Sequence, residues 1–185
     1  DPVVAIVAET AMAAADAGDQ VEVEYTPLDH VVDTETAKAA DAPRIYDAAP
    51  NNICLDWDTG DADATERAFA EAAHVTRLKL VNNRVVANAM EPRAAIADYD
   101  TSTGIWTLTT GSQGVFSLRD QLAQHIFNVA PDRIHVVTPD VGGGFGMKIF
   151  LYPEQVLVMH AARDLGRSVK WTGTRGESFQ SDTQG

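Results

Sequence analysis

Apolar and charged residues alternate along Val21-Glu22-Val23-Glu24-Tyr25, the period of a half-buried strand with one wet face, and Pro27 ends it. Ahead of it the apolar run at residues 3–7 predicts another strand, and Thr10 is suited to cap an alanine-rich helix reaching about Gly18. Asp33 or Thr34 can cap a short helix over 35–40. A loop with Pro43 and Pro50 follows, so that residues 43–52 read as a linker. After Gly60, Asp63 with Glu66 three positions on makes a capping-box pattern for a helix to about Ala73. The β-branched stretch 75–86 predicts one or two further strands.

From there the pattern becomes more regular. Residues 93–100 and 105–110 predict a hairpin, because Thr101-Ser102-Thr103-Gly104 supplies turn chemistry between them. Val115, Leu118, Leu122 and Ile126 fall at spacings of three, four and four, the stripe of an amphipathic helix. Arg133-Ile134-His135-Val136-Val137-Thr138 predicts a strand. Pro153 suits the first turn of a helix, residues 156–162 are apolar on nearly every side and predict that this helix is buried, and Gly166 is placed to stop it. There is no internal repeat or low-complexity stretch. The fold class is α+β, with mixed sheets and packed helices.

Charge narrows the partners. Fourteen basic and 27 acidic side chains give −13, which disfavours nucleic acid, whose binding rests on Lys and Arg neutralising phosphates, and disfavours an anionic membrane surface. No run approaches the ~20 apolar residues of a membrane span. The one cysteine, Cys54, can neither close an internal disulfide nor supply the four ligands of an iron–sulfur cluster. It reads as a small buried or half-buried apolar residue, in a cytoplasmic compartment. The chain opens inside an apolar run without a methionine, as a piece of a longer protein would.

The densest chemistry lies at Val141-Gly142-Gly143-Gly144-Phe145-Gly146-Met147-Lys148, where four of eight residues are glycine. Glycine lets a backbone approach a ligand closely, and such a loop offers amides to something anionic or polarised. A phosphate loop would end in Gly-Lys-Ser/Thr, whereas this one ends Met147-Lys148-Ile149, and the dinucleotide fingerprint lacks its third glycine at Met147. This loop and Gly111–Gly114 both lie between a strand and a helix, where free amides gather. Gln113 is a neutral amide that can donate to an oxo group; alternatively it caps its own helix. The alternative for Gly143, Gly144, Phe145 and Gly146 is a tight turn with Phe145 in the core. Glu91 and Arg93 read as structural, an ion pair bracing the sheet, and Arg175 and Glu177 as surface or interdomain pairing. His125, His135 and His160 have no second ligand at metal-binding spacing.

The Gly-Gly-Gly-Phe-Gly-x-Lys stretch resembles that of the molybdenum hydroxylases, the xanthine dehydrogenase, aldehyde oxidase and carbon monoxide dehydrogenase family. Asn88-Ala89-Met90-Glu91-Pro92-Arg93 is similar to the family's Met-Glu-Pro-Arg segment, and Thr110-Gly111-Ser112-Gln113 to its Thr-Gln segment. Gly166-Arg167-Ser168-Val169-Lys170-Trp171 with Arg175 and Glu177 is similar to later family segments, and the four follow the family's order.

The resemblance implies residues 1–50 as the tail of a small α/β hammerhead domain with its linker, and 51–185 as the first part of the molybdopterin-binding domain. It implies a molybdenum–molybdopterin cofactor in a dinucleotide form, with Gln113 hydrogen-bonding the metal centre. Gly143, Gly144, Phe145 and Gly146 would supply amides to it, Phe145 packing on the substrate side. No residue here is implied as a direct metal ligand, and the glutamate base belongs to a segment outside this chain. The implied activity is hydroxylation of a small-molecule substrate, an aldehyde or N-heterocycle, with water-derived oxygen. Electrons pass to iron–sulfur and FAD-bearing partners in a hetero-oligomer, and the piece alone is expected to be inactive. Ile149 stands where purine-hydroxylating members carry glutamate. Outside that reading lies a non-catalytic scaffold or subunit-contact module that binds no metal.

Overall fold

The computed structural model describes residues 2–183. They pack as two compact units, one made of residues up to Gln20 together with those from Asn82 on, the other of Val21–Val81.

The first unit is built on a four-stranded sheet. Strand β1 (Ala94–Asp100) and strand β2 (Ile105–Thr110) form the expected antiparallel hairpin, with Tyr99 opposite Trp106 and Ala95 opposite Thr110. Asp100 shapes the turn. Its carboxylate accepts from the Ser102 amide and hydroxyl and from the Thr103 hydroxyl, an Asx turn. Those hydroxyl bonds pull its pKa down to about 2. Gly104 follows at φ 71° and closes the turn onto the Asp100 carbonyl. Strand β3 (Ile134–Val137) lies parallel to β2, strand β4 (Val169–Thr172) antiparallel to β1, and the order is β3-β2-β1-β4.

Alternation along β1 and β2 sends Ala95, Ala97, Trp106 and Leu108 to one face. Helix α3 (Val115–Gln121) and helix α4 (Pro153–Leu165) supply Leu118, Val158, Met159 and Ala162 to the same core. Fully burying a side chain of leucine size is worth roughly 1.5–3 kcal/mol. The Trp106 indole donates to the Met159 carbonyl at 3.2 Å, so the tryptophan is buried without an orphaned NH. Helix α3 widens to π geometry over Leu122–Phe127, a local bulge invisible to spacing arguments, and Asn128 ends it in the left-handed region. Helix α4 is less buried than its composition predicts, with Leu157 40% exposed, and Gly166 stops it at φ 61° as expected. Helix α1 (Ala11–Gly18) takes Thr10 as N-cap, and helix α5 (Arg175–Ser181) takes Thr174.

The second unit contains short 3-10 turns at Thr36–Lys38 and Pro50–Asn52, and helix α2 (Ala62–Glu71). The Asp33 carboxylate accepts from the amides of Glu35 and Thr36, as expected of a cap. Asp61, not Asp63, caps α2 by accepting from the Ala64 amide, and Asp63 then sits in the first turn where the helix dipole favours it. The Asn52 carboxamide bonds Ala37, Pro43 and Ile45, organising the proline-containing stretch.

Three strand expectations fail. Residues 3–7, 21–25 and 75–86 form no strand and join no ladder among the described residues. Alternation fixes which face a strand would bury; it supplies no partner for the backbone. Cys54 is exposed, not buried. Among the described residues no helix is long and apolar enough to cross a membrane.

Candidate functional site

The sheet brings the distant loops together. Strands β2 and β3 run parallel with Thr109 opposite Val137, so the segments that leave them exit at the same end. Strand β1 enters there, Ala95 lying opposite Thr110, and β4 leaves there, Thr172 lying opposite Ala94. Residues 88–93, 111–114, 138–148 and 173–177 therefore converge on one edge. Hydrogen bonds fasten the convergence: the Thr138 hydroxyl donates to the Thr110 carbonyl at 2.9 Å, and the Gly173 backbone amide to the Arg93 carbonyl at 2.9 Å.

Gln113 is inserted into the glycine loop. Its Oε1 accepts from the amides of Gly146 at 3.0 Å and Lys148 at 3.2 Å, and its own amide donates to the Lys148 carbonyl. It does not cap α3, whose N-cap is Gly114. With Oε1 thus occupied, Nε2 is left with no acceptor among the described residues. Gly144 makes the insertion possible, since a Cβ there would lie 2.4 Å from Gln113 Oε1. Gly142 is equally tight against Glu91, at 2.5 Å from its Cβ.

Phe145 is 72% exposed at φ 50°, a rare backbone conformation for a bulky residue. It is not a core residue. The amides of Gly142, Gly146 and Met147 are taken by Glu91, Gln113 and the Gly144 carbonyl, respectively. Those of Gly143, Gly144 and Phe145 have no acceptor among the described residues. Three consecutive main-chain donors and one side-chain donor thus sit side by side, all neutral. Such a set suits an oxygen-rich, anionic group. A separate small cavity of about 10 Å³ is lined by Lys148, Thr110, Gln155 and Tyr152 but by none of these donors.

Two ion-pair systems brace this edge. Lys148, its side chain 1% exposed, reaches Glu91 Oε2 at 2.7 Å, and the same oxygen accepts from the Gly142 amide at 2.9 Å. Lys148's hydrogen bond, opposed by partial burial, holds the Glu91 carboxyl below its ordinary value of 4.5. A depressed folded-state pKa adds stability that is complete above the unfolded value and disappears as pH falls through the folded one. Protection of the Gly142 amide from hydrogen exchange should therefore fade only on acidification below 4.5, and Glu91→Gln should remove that dependence; unchanged protection in acid would contradict it.

The second system centres on Arg93, which donates to Asp182 at 2.6 Å and Glu154 at 2.9 Å and stacks on Tyr152, 3.6 Å from the ring centre. The bracing expected of Glu91 and Arg93 is present, with partners from elsewhere in the chain. Arg175 and Glu177 depart from expectation. Arg175 holds Asn88 Oδ1 at 2.7 Å and the Met90 carbonyl at 2.9 Å, and Glu177 closes a capping box on Thr174. The described residues contain no cluster of three His, Cys, Asp or Glu able to hold a metal.

The chain matches the model of the molybdopterin cofactor-binding domain over residues 45–185. It belongs to that family, among the molybdenum hydroxylases. It is 35% identical over 183 residues to the 6-hydroxypseudooxynicotine dehydrogenase complex subunit gamma of Paenarthrobacter nicotinovorans, covering 97% of this chain and 22% of the relative. Among solved structures it superposes on reconstituted CO dehydrogenase from Oligotropha carboxidovorans with a TM-score of 0.86 at 33% identity, covering 91% of this chain and 22% of that one. On quinoline 2-oxidoreductase from Pseudomonas putida 86 it superposes with 0.81 at 34%, covering 95% and 22%. The chain thus spans about a fifth of the length of these relatives.

The structure brings Gln113 against the loop of Gly143, Gly144, Phe145 and Gly146, and spends the Gly146 amide on Gln113. The sequence reads Glu91 as structural and Arg175 as surface or interdomain pairing and assigns Lys148 no partner, whereas the structure ties Lys148 to Glu91 and Arg175 to Asn88 and Met90. The usable signal was a lone lysine between the apolar Met147 and Ile149, and a lone acid between Met90 and Pro92.

Proposed function

We propose that this chain forms one wall of the molybdopterin site in an oxidoreductase that hydroxylates an aldehyde or N-heterocycle. One observation carries the reading: Gln113 Nε2 and the amides of Gly143, Gly144 and Phe145 are unpartnered donors on adjoining loops. These groups would hold the cofactor, in a dinucleotide form, by its acceptor oxygens. When bound, that cofactor supplies the two-electron oxidation and the transfer of water-derived oxygen. The chain's own residues orient it. Gln113 presents a neutral donor while its oxygen keeps the loop folded, and exposed Phe145 offers an apolar surface to a flat or small substrate. The base, a glutamate, would come from elsewhere in the whole protein, so this stretch by itself turns nothing over.

The partners that fit are iron–sulfur and FAD-bearing subunits in a hetero-oligomer, in the cytoplasm. Residues 1–50 would be the tail of a hammerhead domain and 51–185 the start of the cofactor-binding domain. Ile149 after the loop lysine speaks against purines. In the full-length enzyme, Gln113→Ala should lower molybdenum and pterin content roughly tenfold, as loss of an orienting contact does at metal sites. Content and turnover both at the unsubstituted level would end the assignment.

A further inference from the structure

The glycine loop is fastened at both ends by one carboxylate. Glu91 Oε2 lies between the amide of Gly142, where the tight part of the loop begins, at 2.9 Å and the ammonium of Lys148, where it ends, at 2.7 Å. The Glu91 backbone amide adds a bond to the Gly142 carbonyl at 3.0 Å. Among the described residues Lys148 makes no other hydrogen bond through its ammonium, although its side chain is 1% exposed, whereas that of Glu91 is 43% exposed. A buried ammonium with one partner costs stability unless that partner is retained, so a plain apolar residue would serve better if filling space were the whole task. The Glu91 segment has its own anchor: Arg175 grips Asn88 and the Met90 carbonyl on either side of Ala89.

We propose that Glu91 and Lys148 are a positioning pair that fixes the span of the Gly142–Lys148 loop, so that the free amides of Gly143, Gly144 and Phe145 stand at the separation the bound group requires. Neither side chain touches that group. They act through the loop, as outer-shell partners orient ligands at metal sites. The inference rests on the cofactor reading above and adds to it a specific requirement for charge pairing behind the loop.

The test uses the full-length enzyme with its partner subunits, in four forms: unsubstituted, Glu91→Gln, Lys148→Met, and both together. Molybdenum and pterin are measured per folded chain, and the pentavalent-molybdenum resonance is recorded after partial reduction with dithionite. Each single change should lower occupancy roughly tenfold and shift the resonance of what remains, because an orienting partner has been lost. The double variant, in which no charge is left unpaired but the pair is still missing, should fall about as far as either single, because each single already abolishes the tie. Should Glu91→Gln fail to fold around an unpaired ammonium, Lys148→Met still decides the matter, since Glu91 alone can be solvated. Singles that lose thermal stability yet keep full occupancy and an unshifted resonance would overturn the positioning role, as would a double variant restored to the unsubstituted occupancy, which would reduce the effect to an unpaired buried charge. An unsubstituted enzyme without molybdenum would instead overturn the cofactor reading itself.

Discussion

Gly144→Ala should empty the site in the intact enzyme while leaving the sheet folded. The added Cβ would lie 2.4 Å from Gln113 Oε1 and 2.5 Å from its Cδ, far inside van der Waals contact. Gly144 lies outside the left-handed region that the neighbouring Gly143 and Gly146 occupy, so alanine meets a purely steric obstacle there. The cheapest relief is to expel the Gln113 side chain, which forfeits its bonds to the amides of Gly146 and Lys148 and turns its free Nε2 away from the site. Loss of two hydrogen bonds costs about 1–3 kcal/mol, tolerable for folding but severe for a ligand that needs several donors at once. Molybdenum and pterin content should fall at least tenfold, by analogy with orienting groups at metal sites, with circular dichroism unchanged. Gly146→Ala makes the control: at φ 88° it introduces backbone strain, so its effect should appear in stability as well. Full occupancy in Gly144→Ala would show that Gln113 need not be where it is.

Arg93→Met should be the most destabilising single change outside the loops. Arg93 is 6% exposed and joins the start of β1 to the first turn of α4 through Glu154 and to the end of α5 through Asp182 and Ser181. Burial works against its charge, but hydrogen bonds to Glu154 and Asp182 outweigh that and raise its pKa. The Asp182 side chain is 1% exposed and its Oδ2 already lacks a partner among the described residues. Removing the guanidinium leaves that carboxylate buried and uncompensated, a loss of about 3–5 kcal/mol. Urea unfolding of the intact enzyme, followed at Trp171 and Trp106, measures it. Arg93→Met with Asp182→Asn should recover a large part. A loss below about 1 kcal/mol, the scale of an exposed pair, would mean that the network contributes no more than surface charges do.

Local signals carried the part of the fold that is locally determined. The hairpin was legible because Asp100, Ser102, Thr103 and Gly104 make its turn from their own side chains and backbone. The ends of α4 were legible because Pro153 and Gly166 act on φ directly. Where pairing needs a distant segment, the pattern was mute: residues 75–86 have strand composition and no strand, and the π turn after α3, with Leu122 and Ala123 buried, left no mark on the spacing. The candidate site divides the same way. Gln113 and the glycine run stood out by residue type and by resemblance, but the pairing of Lys148 with Glu91 spans 57 positions. Nothing local in either residue's neighbourhood names the other.

By itself, then, the chain of residues determined the family, through the order of its motif segments, and the secondary elements that close on their own neighbours, because those elements are written in short-range sterics and capping. Only the tertiary structure decided that four loops meet at one end of the sheet, that Gln113 spends its oxygen on the loop and leaves its nitrogen free, and that Lys148 and Glu91 close the ring behind it. Strand order and register place those groups within hydrogen-bonding distance, and register is a property of the assembled sheet that no single segment contains.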